Sequence, residues 1–446
     1  MPELGKNQIY TAEIVGCTSE GQGVARIDGR AIFVKGALPG EVCRIRILKV
    51  TKTAVYAKIE DMISASPNRI QPDCPNFGKC GGCDFRHVRY EEELRIKLQR
   101  VNDAFQRIGG LSLTTEEILS ADHVERYRSK AVLSVGQRNG SAISGFYRSG
   151  THEVIPVEDC LLQTNEANAA ARILRQWMDE YRIDDYNEKT GKGFIRHLFV
   201  RSGMICLVSF GRPPKTERLV ERLRAGLDRL KSVILNINRS EGNTILNGSF
   251  ETLWGSDTVD VMLSGLSFRL SPQSFFQVNP AQAEKLYAKA IELAGLHGTE
   301  RVIDLYCGAG AIGLLAAHSA ESVLGVEIVP DAVKNARENM ERNKIKNIEF
   351  ICADAASASE MLASEGRRAD VLFVDPPRKG LAESVISDIA KIQPDRVVYV
   401  SCDPGTLARD LKRFAGFGYA AQKAVAVDMF PRTRHVETVV LMSRVM

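Results

Sequence analysis

Arg301-Val302-Ile303-Asp304-Leu305-Tyr306-Cys307-Gly308-Ala309-Gly310 reads as an apolar strand running into a glycine turn, and a helical pattern follows it. Val371-Leu372-Phe373-Val374 stops in the same way at Asp375-Pro376-Pro377-Arg378, and Arg396-Val397-Val398-Tyr399-Val400 stops at Ser401-Cys402-Asp403-Pro404. In an open sheet with helical crossovers such loops line one rim, and ligands bind there. The surrounding pattern is regular. A helix over 280–293 leads into strands at 301–305, 322–327, 348–352, 371–374 and 396–400, with helices between them. Strands at 420–427 and 436–442 follow as an antiparallel pair. This alternation predicts a doubly wound α/β domain over residues 271–446.

Upstream the pattern changes. Short strands at 12–15, 23–29, 31–34 and 41–47, with Asp28-Gly29 as a hairpin signal, predict a small OB-like β-barrel over residues 1–62. Residues 63–90 are rich in Pro, Gly and Cys. A charged amphipathic helix over 90–107 comes next. Strands at 131–135, 206–210 and 232–237 alternate with helices at 164–181 and 217–230, which predicts a central α+β domain over 91–270.

Lys+Arg 59 against Asp+Glu 55 leaves a net charge of +4, too small to imply nucleic-acid binding by itself. Basic residues do gather at Arg86, Arg89, Arg95, Lys97, Arg100 and Arg107 and again at Arg126, Arg128, Lys130 and Arg138, runs that suit either a nucleic-acid surface or a solvated face. Met1 to Ile9 lacks the apolar core of a leader peptide. No apolar run approaches the roughly 18 residues of a membrane span. A cytoplasmic protein is therefore expected, and its ten cysteines are not expected in disulfides.

The rim residues carry chemistry. Gly308, Gly310 and Gly313 give a Gly-x-Gly-x-x-Gly spacing that suits a nucleotide, dinucleotides included. Glu327, ending the second strand, is placed for a ribose hydroxyl pair; Asp354, ending the third, for an adenine amine. Either could instead cap a helix. Enzymes that methylate exocyclic amines put an aromatic residue after a Pro-Pro pair, and Arg378 stands there instead. Cys402 reads as a rim thiol followed by a helix, whose N-terminus would lower its pKa below the usual value of about 8.5. The alternative is a small buried side chain. Glu437 opens the last strand, which should run antiparallel beside the fifth, so it becomes the neighbour of Cys402. His435 is the competing base.

Together these motifs resemble the RNA uracil-C5 methyltransferases, which use S-adenosylmethionine. The resemblance spans essentially the whole chain. It rests on the barrel, similar to a TRAM domain, on Ser274-Phe275-Phe276-Gln277-Val278-Asn279, on the three rim loops, and on His435-Val436-Glu437. It implies a class I (Rossmann-like) methyltransferase domain in which Gln277, Tyr306, Glu327, Asp354 and Asp375 contact the cofactor. It makes Cys402 the nucleophile and Glu437 the base. Ala311 departs from members with Asn there. The chemistry fits: carbon 5 of uracil attacks a methyl sulfonium only after a thiolate adds at carbon 6, and a base must then remove the carbon-5 proton.

Cys74-x5-Cys80-x2-Cys83, with Cys160 as the candidate fourth ligand, has metal-binding spacing that suits zinc. The resemblance to rRNA-modifying members implies a structural [4Fe–4S] cluster instead. The barrel, bearing Arg44, Arg46, Lys49 and Lys52, suits single-stranded RNA, and the target uridine should be flipped out to reach Cys402. The expected substrate is 23S rRNA, because tRNA-modifying relatives typically lack both barrel and cysteine cluster; a monomer is expected. RNA cytosine-C5 methylation would call for a Cys where Arg378 stands. A non-catalytic iron–sulfur RNA-binding protein is the remaining alternative.

Overall fold

A computed structural model describes residues 4–242, 244–364 and 368–445. Residues 1–3 of the stretch read for a leader lie outside the described residues. Five strands, Ile9–Cys17, Gly23–Ile27, Arg30–Lys35, Val42–Val50 and Val55–Ser64, close into a barrel. Alternation in the fourth strand turns Cys43, Ile45 and Ile47 inward. The fifth strand goes beyond the four that the sequence predicts, because its outward positions and turn are strongly polar. Its acids also change the charge of the barrel. Asp61 lies 3.0 Å from Arg44, and Glu60 lies 2.6 Å from Arg46. Lys49 and Lys52 stay exposed.

A seven-stranded sheet forms the centre, from Ser249–Gly255 at one edge to Val154–Pro156 at the other. Helices Asn165–Tyr181 and Thr216–Gly226 cover it through Leu174, Trp177, Leu219 and Leu223. The second helix stops short of the predicted residue 230, where Leu227 turns extended after Gly226. Ser129 ties this sheet to the Ser274–Asn279 loop by donating its N–H and hydroxyl to the Val278 carbonyl, at 2.7 and 3.0 Å.

The C-terminal sheet has eight strands. Their order is Ile348–Cys352, Ser322–Glu327, Arg301–Leu305, Val371–Val374, Arg396–Ser401, Glu437–Arg444, Tyr419–Val427 and Ile118–Leu119. The first five are mutually parallel, and Glu437–Arg444 runs antiparallel between its two neighbours. The class I order is thus present, with one addition. Ile118–Leu119 pairs in parallel with Ala426 and Val427 at the outer edge.

That strand does not come from the C-terminal segment, and helix Tyr90–Ala104 behaves similarly. Val101, Ala104 and Phe105 pack into the core with Leu305, Tyr399 and Leu407. The segment 91–270 therefore divides: its first thirty or so residues join the C-terminal sheet. An apolar helix face shows in a sequence; which sheet it meets does not. The basic run on this helix is also not a plain solvated face. Lys97 is buried and donates to Glu93 at 2.7 Å and Asp428 at 2.6 Å, and Tyr90 donates its hydroxyl to Asp428 at 2.7 Å. Arg86 is buried against Asp73 and Glu125. Lys97→Met would leave buried Asp428 without its cation and Glu93 with only Arg432 at 3.5 Å, an expected loss of about 3–5 kcal/mol. A lowered urea midpoint at unchanged m-value measures it. No helix among the described residues is long and apolar enough to cross a membrane.

Candidate active site and cysteine-lined cavity

Strand register builds the centre of the site. Ser401 pairs with Thr438, so Cys402 and Glu437, each one step further towards the rim, stand opposite one another. Glu437 is also held on its other side by Val427. Cys402 is half-buried and Glu437 buried. Burial and the nearby Glu437 and Asp375 push the Cys402 thiol up to about 12. This reverses the lowering expected from the helix that follows. Asp403 adds a smaller push: it caps that helix itself, accepting the Thr406 N–H at 2.9 Å, so a carboxylate occupies the N-terminus beside the thiol. Burial and Asp375 likewise push the Glu437 carboxyl up to about 8. Arg378 is the cation that opposes both shifts. Sequence reading used Arg378 only to exclude amine methylation; its place beside the thiol and carboxyl could not be read from the motif alone.

The five residues assigned to the cofactor fall along the same rim. Asp375 ends its strand half-buried, and burial raises it to about 7. Gln277 lies near the buried Tyr287 and lowers its hydroxyl's proton affinity, while Asp375, Glu437 and Asp304 raise it. Tyr287 had no signal in the sequence beyond a helical apolar face. Asp304, inside the glycine motif, is raised to about 8 by burial; its Oδ2 accepts the Gly313 N–H at 2.8 Å, while Oδ1 is buried without a partner.

Beyond Asp304 the backbone turns sharply. Tyr306 has φ +62°, and Gly310 has φ +85° with Phe350 where a Cβ would project, at 2.7 Å. Only glycine fits there. Glu327 accepts the Gly308 and Val329 N–H groups at 3.1 and 2.9 Å, one on each oxygen. Each oxygen keeps a lone pair that a ribose hydroxyl could use. Ile328 and Val329 beside it are exposed apolar side chains. Asp354 is exposed and accepts the Ser357 N–H at 2.8 Å, so in this structure it caps the following helix. It stays close enough to Tyr306 to influence its hydroxyl.

The four cysteines meet. Cys74, Cys80, Cys83 and Cys160 line one cavity of about 240 Å³, which Arg128 and His435 also border. Cys160 reaches it from the central sheet's side, its N–H donating to Asn168 at 3.0 Å. Burial raises the Cys80 and Cys160 thiols, and Cys83 to about 12; neighbouring thiols add to each shift. Such a donor set is costly as thiolates unless a cation neutralises it. No group of three His, Cys, Asp or Glu side chains among the described residues is placed to hold a metal ion. His435, the competing base, borders this cavity and packs edge-on to Phe430, with burial and Arg378 holding it near 4.

Comparison with known proteins gives this rim its context. The family model of tRNA (uracil-5-)-methyltransferases matches residues 89–445, and that of the TRAM domain matches residues 5–59. The chain belongs to the tRNA (uracil-5-)-methyltransferase family. It is an RNA methyltransferase that uses S-adenosylmethionine. A protein of Clostridium tetani, named an uncharacterized RNA methyltransferase, is 40% identical over 98% of this chain and 97% of its own. One of Halalkalibacterium halodurans, similarly named, is 38% identical over 98% of each. The crystal structure of Pyrococcus abyssi tRNA (uracil-54, C5)-methyltransferase with S-adenosyl-L-homocysteine matches with a TM-score of 0.78. It is 27% identical and covers 97% of this chain and 99% of its own.

Proposed function

We propose that this family member methylates carbon 5 of a uridine in 23S rRNA, in the cytoplasm and as a monomer. The observation that carries the uridine chemistry is Cys402 facing Glu437, with Asp375 beside both. S-adenosylmethionine, when bound, supplies an electrophilic methyl group. Gln277, Tyr306, Glu327, Asp354 and Asp375 hold it along the rim. Cys402 adds to carbon 6 of the flipped uracil, which makes carbon 5 nucleophilic towards that methyl group. Glu437 then removes the carbon-5 proton; the double bond re-forms and the thiolate leaves.

The quartet Cys74, Cys80, Cys83 and Cys160 would hold a [4Fe–4S] cluster, with zinc as the rival; what supports this is that the four thiols line one cavity and that the pattern resembles that of rRNA-modifying members. Its part is structural, since methyl transfer moves no net electron.

The cysteine quartet supports rRNA through its resemblance to rRNA-modifying proteins. The barrel does not: a tRNA-modifying enzyme matches 97% of this chain, barrel region included. That observation favours tRNA as a second reading. Labelled cofactor offered with 23S rRNA fragments and with tRNA separates them. 5-Methyluridine in rRNA alone is the expected product; label in tRNA alone would replace the first reading by the second.

Glu437 must be ionised to act as a base, and burial keeps it protonated up to about 8. Its base form therefore appears as pH rises. Turnover should climb from about pH 6.5 to about pH 9, measured under saturating RNA, and this rise should vanish in Glu437→Gln. Stability runs the other way. Between the unfolded carboxyl pKa and about 8 the folded chain keeps a proton that the unfolded chain has released, so stability falls with rising pH.

A further inference from the structure

The stretch between strands Tyr419–Val427 and Glu437–Arg444 delivers Glu437 to the site; its last residues are held by the cysteine-bearing segment and the helix after it, with Glu20 of the barrel 2.9 Å from Arg434 and Tyr127 donating to the Pro431 carbonyl at 2.9 Å. The Arg432 carbonyl accepts the N–H groups of Asp84 and Phe85 at 2.9 and 3.1 Å. Asp84 answers with its carboxylate, where Oδ2 accepts the Arg434 N–H at 3.0 Å. The Arg432 guanidinium donates to the Val88 carbonyl at 3.0 Å, and its N–H donates to Glu93 at 2.7 Å. Arg100 donates to the Arg434 carbonyl at 2.5 Å. Arg432 itself sits at φ +66°, a strained conformation for a side-chain-bearing residue that persists only where surroundings fix it. Asp84 directly follows Cys83, and Thr433, Arg434 and His435 border the same cavity as the thiols.

We propose that the cysteine-bearing segment is a positioning device for the base: Asp84 sets the path of Arg432–Val436 and thereby the place of Glu437 opposite Cys402. This rests on the reading of Cys402 and Glu437 above. Asp84 touches neither substrate nor reacting atoms; it acts through Glu437 alone. It should therefore matter for one step. In that step Glu437 takes the proton from carbon 5, the C–H electron pair becomes the 5,6 double bond, and the bond from carbon 6 to Sγ breaks. Addition of Cys402 to carbon 6 precedes it and needs no help from Glu437's exact place.

The two steps separate experimentally. RNA carrying 5-fluorouridine has no carbon-5 proton to remove, so it reports addition and methyl transfer only. Asp84→Ala in the full-length protein should form the fluorouridine adduct at the wild-type rate. On ordinary RNA its turnover should fall about 100-fold, the scale of a misplaced group, with a methylated protein–RNA adduct accumulating on denaturing gels. Asp84→Asn keeps an oxygen for the Arg434 N–H and should restore turnover. Arg432→Gly relieves the positive φ while releasing Val88, so it is a second variant that keeps the backbone folded; it should show the same split. Equal slowing in both assays, or none in either, would overturn the inference. No adduct with wild-type protein would instead overturn the reading of Cys402 on which it rests.

Discussion

Cys402→Ala should abolish the covalent adduct with 5-fluorouridine RNA and lower methylation by about 10⁴-fold or more, the expected cost of losing the proposed covalent nucleophile. Mass spectrometry of the protein–RNA complex and label transfer measure the two effects. The structure makes the loss specific. Cys402 is the thiol opposite Glu437, whereas Cys307 and Cys206 are buried in the hydrophobic core and Cys352, though exposed at the rim, ends the strand at the sheet's far edge. Burial and the neighbouring acids raise the Cys402 thiol to about 12, which favours its neutral form at pH 7. Proton loss must accompany substrate entry, and Arg378 is the cation in range to favour it. Arg378→Met should then slow adduct formation while leaving cofactor binding intact.

Glu437→Gln has the opposite signature. Adduct forms and stays, and turnover falls by about 10²- to 10⁴-fold, the usual worth of a positioned base. The amide is close in shape to the carboxyl and, like it below about pH 8, uncharged. Folding should be unharmed, so the defect is chemical. A Glu437→Gln enzyme that turns over normally would assign the proton removal to another group, with His435 next in the chain order. Burial and four nearby arginines, Arg378, Arg434, Arg100 and Arg128, keep His435 from holding a second proton.

Most of the fold was legible because strand and helix periods are local. The five parallel strands of the C-terminal sheet stand where alternation placed them, and the antiparallel pair put Glu437 beside Cys402 from topology alone. What escaped is non-local. Ile118–Leu119 is two residues long and exists as a strand only because Tyr419–Val427 offers an open edge. Tyr90–Ala104 shows an amphipathic face, but Lys97 inside it becomes buried solely because Asp428, more than three hundred residues later, meets it. The Cys402 proton affinity was misjudged for a related reason. A helix start was visible in the sequence, but the Asp403 side chain that occupies it, and the buried Glu437 and Asp375 around it, act through space. Asp354 differs: the sequence offered a cofactor contact or a helix cap, and the Ser357 N–H on its carboxylate shows the cap.

The borrowed strand at the sheet's outer edge has a consequence for how the chain can be cut. Ile118–Leu119 and the helix ending at Ala104 are synthesised before the central sheet, yet their partners come after it. During translation they must wait on the ribosome for the C-terminal half. A fragment beginning near residue 271 would leave the Tyr419–Val427 edge bare and the apolar surface under Phe105 and Leu407 wet, a surface prone to self-association. The C-terminal half is therefore no independent module to be expressed, swapped or fused by itself; the smallest piece that keeps its sheet covered begins upstream of Tyr90.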